Sequence, residues 1–329
     1  MTMGSNFMPD VGPLLHLRVP EDPAPGGIVR YETGVRQGDQ VSVFYDPMIA
    51  KLVVHGKDRT EALRIMRKAL GEYEIAGLHT NIDFLKRLAS HPAFIDAEVE
   101  TGFIQKYHGD LFPVKTPASP KVLALAALES VLADAPKHNT TSPWASNVGW
   151  RPSGFLKRTV TLIDGDLGKA TVTVTYLPNH RFNLDIVDSG GKSHQLVNCW
   201  GTIDHNNRFN GEIGNQRVQT TVYRDHDSVY VFDDYKIKLS LPVASFLEAT
   251  EVSGGASSVK TPMPCKITGV FTEPGKHVAK GETLIVLEAM KMEHVIKAPH
   301  AGIIDKVFYK LGDLVGEGKV LVSFTETEE

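Results

Sequence analysis

Cysteine is almost absent: two thiols, Cys199 and Cys265, in 329 residues are too few for a disulfide framework or a four-cysteine zinc site. They read as free thiols of a reducing compartment, and no metal site is expected. No apolar run approaches the ~18 residues that a membrane-spanning helix needs, so no membrane partner is expected either. The opening MTMGSNFMPD has neither the apolar core of a secretory leader nor an Arg-rich amphipathic pattern. Charge of one sign is also missing. Lys and Arg number 35 against 39 Asp and Glu, a net charge of -4 without long blocks of either sign, which removes nucleic acid from the expected partners. What remains is ordinary globular composition, 42% hydrophobic and 22% charged, over a length suited to two or three domains.

Punctuation divides the chain twice. Three prolines interrupt any pattern across Asp110 to Pro120 (DLFPVKTPASP), and Val252 to Lys260 (VSGGASSVK) has the composition of a flexible linker. The first piece mixes strands and helices. Asp58 with Glu61 three residues on forms a capping-box pattern ahead of Ala62, Leu63, Met66, Ala69 and Leu70, predicting a helix that stops at Gly71. A second helix is predicted from Thr80 to the His91-Pro92 stop, and Met48 to Val54 reads as a strand. Phe7 to Leu17 also reads as a strand, with no preceding element to pair with, so this piece looks like the end of a domain.

The middle piece opens with Ser119-Pro120, an N-cap and first-turn pair, followed by Val122 to Ala133, where apolar residues surround the helix axis. Such a helix must be buried on most sides. Roughly eight period-two segments follow, among them Val172/Val174/Tyr176, Leu184/Ile186, Val218/Thr220/Val222 and Ile237/Leu239/Leu241, with Asp233-Asp234 as a hairpin turn. Together they predict an antiparallel barrel wrapped around the helix. No catalytic constellation stands out. Ser189-Gly190-Gly191-Lys192-Ser193 lacks the earlier glycine of a phosphate loop, because Ile186 occupies that position, and it reads as a surface turn. Asn139-Thr140-Thr141 is a chance glycosylation triplet.

The last piece contains an internal repeat. Thr261 to Val286 superposes on Ala298 to Ser323 at an offset of 37, with identities that include Ile267/Ile304, Phe271/Phe308, Gly275/Gly312, Val278/Val315, Gly281/Gly318 and Leu284/Leu321. Each copy offers strands separated by Gly-containing turns, so the pair predicts a sandwich of two four-stranded halves related by a pseudo-twofold. The connection between the copies is Leu287 to Lys297, whose midpoint falls at Met292, beside Lys291. That places a primary amine at a protruding hairpin tip. Methionines at 290 and 292 are not turn formers and are unfavourable at an exposed tip, so their presence asks for a function.

The Ala289-Met290-Lys291-Met292 string resembles the biotin attachment motif of the biotin-dependent carboxylases, and the repeat around it resembles their biotinyl domain. The related lipoyl-type carriers share the repeat but typically place an acidic residue and an alanine beside the modified lysine. The resemblance covers nearly the whole chain. Tyr45-Asp46-Pro47-Met48-Ile49-Ala50-Lys51-Leu52 and Gly77-Leu78-His79-Thr80-Asn81 are similar to the C-terminal subdomain of biotin carboxylase, and the helix-plus-barrel piece is similar to the domain that docks the beta subunit in acyl-CoA carboxylase alpha subunits. The strings Lys291 to Pro299 and Gly34 to Asp39 are most similar to alpha subunits of methylcrotonoyl-CoA carboxylases, which act in leucine catabolism, with those of propionyl-CoA carboxylases as the close rival.

The resemblance implies a multidomain α+β chain: a partial biotin carboxylase C-terminal subdomain over 1–112, a docking domain of helix and antiparallel barrel over 113–252, and a biotinyl β-sandwich over 259–326. It implies biotin amide-linked to Lys291 between Met290 and Met292, carrying CO2 from one active site to another. The partners it implies are a carboxylase beta subunit and a biotin protein ligase, and the location is the mitochondrial matrix. Six linker residues, Ser253 to Ser258, span only ~13 Å as a random coil, so long travel would require rotation of the whole carrier domain. Arg30, in Gly27-Ile28-Val29-Arg30-Tyr31-Glu32, matches the family arginine that stabilises negative charge on the biotin ureido oxygen. From its neighbours alone, a surface ion pair with Glu32 is the plainer reading. ATP and Mg belong to the ATP-grasp region of the family, which lies N-terminal to the part matched here. The isolated, biotinylated 329-residue chain is therefore expected to show no bicarbonate-dependent ATP hydrolysis in a phosphate-release assay, and robust turnover unchanged by Arg30→Ala would overturn both expectations.

Overall fold

The computed structural model describes residues 10–20, 28–42, 48–134, 151–242, 258–261, 263–289, 292–316 and 318–324. The chain divides into two compact units, residues 108–248 and residues 1–107 together with 249–329. Asn139-Thr140-Thr141, most of the Gly/Ser linker and the Tyr45-Asp46-Pro47 string lie outside the described residues.

In the N-terminal segment the capping box forms as the sequence predicts: the Asp58 carboxylate accepts the Glu61 N–H at 2.8 Å, and the Glu61 carboxylate accepts from Lys57 N at 2.9 Å. The helix runs Arg59–Glu72, through Gly71 and not up to it. Packing of Leu63, Ile65, Ala69 and Leu70, all buried, holds the last turn against the ~1 kcal/mol that a helical glycine forfeits. The second helix is Ile82–Ser90, and the following peptide enters a short turn of helix at Pro92. The segment expected to have no preceding partner forms two short strands that pair with later ones: Gly12–Pro13 pairs with Gln40–Val41 and His16–Arg18 with Glu74–Ala76. A hairpin of Ile28–Thr33 and Ala50–His55 sets Arg30 opposite Val53, while Val29 turns inward onto Ile65 and Ala69.

The middle unit is a closed eight-stranded antiparallel barrel around one helix, Pro120–Ala133. Ser119 caps that helix by accepting the Val122 N–H, and Val122 through Leu128 are each no more than 2% exposed. The sheet supplies the complementary lining, including Leu162, Val172, Val174, Leu184, Ile186 and Phe209. The alternation of the sequence is thus the inward half of each strand. Phe232 pairs with Lys236 around the Asp233-Asp234 turn. Ser189 to Lys192 is the turn between two strands, closed by the Asp188 carboxylate, which accepts N–H bonds from Gly190 and Lys192, each at 2.9 Å. At the barrel's seam, Lys236–Ser240 meets Lys157–Ile163 only at Ser240 opposite Ile163.

In the carrier domain two four-stranded sheets face each other, and the pseudo-twofold is visible in the backbone. Gly275 donates to Ile304 at 2.7 Å while Gly312 donates to Ile267 at 2.8 Å; Gly281 donates to Ala298 and Gly318 to Thr261. All four glycines have φ between 71° and 94°, a conformation that side chains with Cβ rarely hold. Leu284, Ile267, Ile304 and Leu321 fill the shared core. Cys265 lies in this core and Cys199 in the barrel wall; both are free, and burial pushes their thiols up, Cys265 to about 11, so neither is a ready thiolate.

One ionisable group violates the barrel's apolar interior. Glu129, on the central helix, is 6% exposed and its Oε2 has no hydrogen-bond partner among the described residues. Burial, opposed by Arg224 and reinforced by Asp134, pushes its carboxyl up from 4.5 to about 7. An acid whose folded pKa is raised keeps its proton longer folded than unfolded, so its contribution to stability falls as pH rises from about 4.5 to about 7 and stays lost above that. At about 1.4 kcal/mol per pK unit the loss is about 3 kcal/mol. Glu129→Gln, which keeps the shape of the protonated acid, should leave the melting temperature of the barrel unit nearly unchanged at pH 5 and raise it by several degrees at pH 8. An equal shift at both pH values would contradict this.

Candidate functional site

The site is built on the hairpin that joins the two repeats. Thr283–Ala289 pairs with Met292–Lys297 in the register Ile285/Ile296, Val286/Val295, Leu287/His294, Glu288/Glu293 and Ala289/Met292. Ile285, Leu287 and Ala289 are no more than 2% exposed and pin the first strand to the core up to its last residue. Only Met290 and Lys291 stand between the paired ends, one residue earlier than the arithmetic midpoint at Met292. The difference arises because Met292 to Lys297 belongs to the second strand and not to the connection, so the ladder centres between Met290 and Lys291. Met290, Lys291 and the side chain of Met292 lie outside the described residues.

This frame suits covalent attachment of a carried group. A strand anchored to its final residue, Ala289, and a ladder that resumes at Met292 fix both ends of a two-residue gap. A base fixed at both ends adds little ordering cost when the group is delivered to an active site. Charge is arranged in a row across three strands: Lys266 stands opposite Glu288, and Glu288 opposite Glu293, on the outward side. His294, three residues after Lys291, has a buried Nε2 with no hydrogen-bond partner among the described residues, opposite Leu287. Neither feature was picked out from the sequence. The carboxylate pair is recoverable only once the register is known, since 288 and 293 have no fixed relation outside it.

Arg30 lies in the other segment of this unit, on the exposed side of its hairpin. Its Nη2 is 3.0 Å from Glu32 Oε1, with 65% and 49% of the two side chains exposed, and Lys51 approaches the same carboxylate at 3.7 Å. The plainer reading of Arg30 therefore describes its present contacts. An exposed pair of this kind is worth roughly 0–1 kcal/mol, a weak hold on a guanidinium that would have to turn toward another anion. The two strings that carry the resemblance in this segment converge on one cavity of 360 Å³, lined by Met48, Ile49 and Leu52 from the first and by Leu78, His79 and Asn81 from the second and its flank.

Comparison with known proteins covers most of the chain. Residues 2–106 match the biotin carboxylase C-terminal domain, residues 119–239 the BT domain of the methylcrotonyl-CoA carboxylase alpha-subunit, and residues 257–324 the model described as biotin-requiring enzyme. The mitochondrial methylcrotonoyl-CoA carboxylase subunit alpha of Dictyostelium discoideum is 38% identical over 332 residues, covering 96% of this chain and 46% of that protein. The same subunit of Mus musculus is 36% identical, covering 98% and 46%. The mitochondrial propionyl-CoA carboxylase alpha chain of Mus musculus is 29% identical, covering 96% and 44%. The chain thus spans a little under half the length of the curated relatives it matches.

Proposed function

We propose that this chain, which matches three domain models found in biotin-dependent carboxylases and is more similar to the methylcrotonoyl-CoA than to the propionyl-CoA carboxylase alpha subunits compared, is the carrier and docking portion of such a carboxylase. Lys291 holds the biotin, and the barrel over 113–252 binds the beta subunit. The observation that carries this reading is the Ala-Met-Lys-Met string on a hairpin whose paired ends, Ala289 and Met292, leave only Met290 and Lys291 between them.

Biotin supplies the carriage of CO2 between two active sites. The chain's own residues attach it, hold its base and deliver it. The Lys291 amine is the acyl acceptor in the attachment step. Ile285, Leu287 and Ala289 fix the strand beneath it, and the flanking methionines offer soft, adaptable contacts to whichever site receives the tip. Arg30 turns from Glu32 to place its guanidinium beside developing negative charge; its five fixed donors suit an oxyanion better than lysine's point charge. The mitochondrial location of the relatives makes that compartment the proposed place of action, and no helix among the described residues is long and apolar enough to cross a membrane.

Two measurements test this. Co-expression with a biotin ligase should label the chain and leave Lys291→Arg unlabelled, because arginine keeps the charge but is a poor acyl acceptor; label persisting on the variant would move the attachment elsewhere. The compact unit 108–248, tagged and expressed alone, should retain a carboxylase beta subunit from the matching cells, identified by mass. Its failure to do so, with the fold verified by circular dichroism, would remove the docking role.

A further inference from the structure

The carrier domain contains its own control, because two sheets built by the same repeat can be compared position by position. On the outer face of the sheet that includes the Lys291 hairpin, one row runs straight across three strands: Gly269 opposite Val286, and Val286 opposite Val295. A Cβ placed on Gly269 would stand 2.6 Å from Phe271 Cε2 and 3.5 Å from Val286 Cβ. The Phe271 ring therefore lies over the glycine and beside Val286, extending the row into a ridge. Phe271 is 57% and Val295 49% exposed.

On the opposite sheet the repeat offset of 37 places Lys306 at the position of Gly269 and Ser323 at that of Val286, and these two are paired, with Ser258 across from Ser323. That row is polar. Ser323 is hydrogen-bonded to Asp305 at 3.0 Å, and the repeat's second phenylalanine, Phe308, is covered by the Lys306 ammonium at 5.2 Å from its ring centroid. The fold therefore tolerates a polar row here. The apolar one is confined to the sheet that bears the carrier lysine.

Charge adds a direction. Beside the ridge, toward Lys291, Glu288 and Glu293 stand directly opposite each other, an arrangement that is unfavourable in an isolated sheet, and neither forms an ion pair among the described residues. Lys266 stands opposite Glu288 on the strand beyond, so a surface that meets this face should bring apolar side chains for the ridge and a basic one for Glu293. Val295 is three residues from Met292, ~10 Å along the strand, so a protein that receives the tip also reaches the ridge. Its size limits the choice of partner. A few side chains cover far less than the ~1,200 Å² of a freestanding interface, so the ridge can hold only a partner already tethered to the chain, at high effective concentration. A freely diffusing modifying enzyme lacks that tether.

We propose that Phe271, Val286 and Val295 form a docking ridge that seats the carrier domain on the beta subunit while Lys291 enters its active site. The proposal rests on the reading of Lys291 as the carrier lysine and of the beta subunit as the tethered partner. The test uses the full chain, biotinylated and co-expressed with the beta subunit from the same cells, with a benzophenone amino acid replacing Val295 in one sample and Ser323 in the other. Irradiation should link position 295 to the beta subunit at least five-fold more than position 323, and Val295→Thr should leave the rate of biotinylation within two-fold of the parent. Equal or absent cross-linking at the two positions, in a complex that co-purifies and carries biotin, overturns the ridge and leaves the carrier reading standing. A ten-fold fall in biotinylation of Val295→Thr also overturns it, by assigning the face to the ligase. Absence of biotin or of a co-purifying beta subunit removes the reading beneath, and the ridge with it.

Discussion

Everything the carrier domain presents rests on an exchange of backbone hydrogen bonds between its two repeats. Each glycine turn of one half donates to a residue of the other half, and the recipient positions are themselves equivalent under the repeat. Neither half can satisfy its turns alone, and each left alone would expose the core side of Ile267, Leu284, Ile304 or Leu321. Rigidity at the hairpin follows from this interlock. The strand that leads to Lys291 is held at its base by bonds that cross the pseudo-twofold, and along its length by side chains sunk in the common core.

The two β-structures solve the burial problem in opposite ways. The sandwich closes on itself through symmetry and needs no helix. The barrel encloses a foreign element, a helix whose apolar residues face every direction, and must line its whole interior to match. That completeness makes Glu129 conspicuous. A carboxyl whose Oε2 has no partner among the described residues sits on a helix where the neighbouring buried hydroxyl, Ser130, is satisfied by Ala126 O, and near Asp134, which is ion-paired with Arg158 and Arg224 at the end of the same helix. The chain retains a destabilising group there; Arg224 limits how far it is destabilising, and Asp134 adds to the cost.

Local patterns made most of this architecture legible. Period-two alternation announced the barrel strands, the Ser119-Pro120 pair announced its helix, and repeated identities announced the sandwich. Pairing over long sequence distance was not legible: His16–Arg18 finds its partner at Glu74–Ala76, which no local pattern specifies. The end of the first helix was misjudged because buried leucines and alanines outweigh the entropy of Gly71. At the proposed site the Ala-Met-Lys-Met string is itself a feature of the sequence, whereas the neighbours of the hairpin are not. Gly269, Val286 and Val295 form a row only because the ladder slips between Ile267 and Gly269 and again at the hairpin base, and such slips leave little trace in composition.

The order of elements in the barrel has a consequence for synthesis. The enclosed helix, Pro120–Ala133, is translated before any of the eight strands that cover it, and the strand that closes the seam, Lys236–Ser240, is translated last. About a hundred residues separate the two, which at ordinary elongation rates corresponds to ~5–20 s. Throughout that interval a helix that is apolar on most sides has only part of its cover, and before Lys157 is made it has none of the barrel's strands to lie against. The ribosome therefore releases, for seconds at a time, a greasy rod awaiting its jacket, and a holdase able to shelter it should find its substrate on nascent chains and lose it when the last strand emerges.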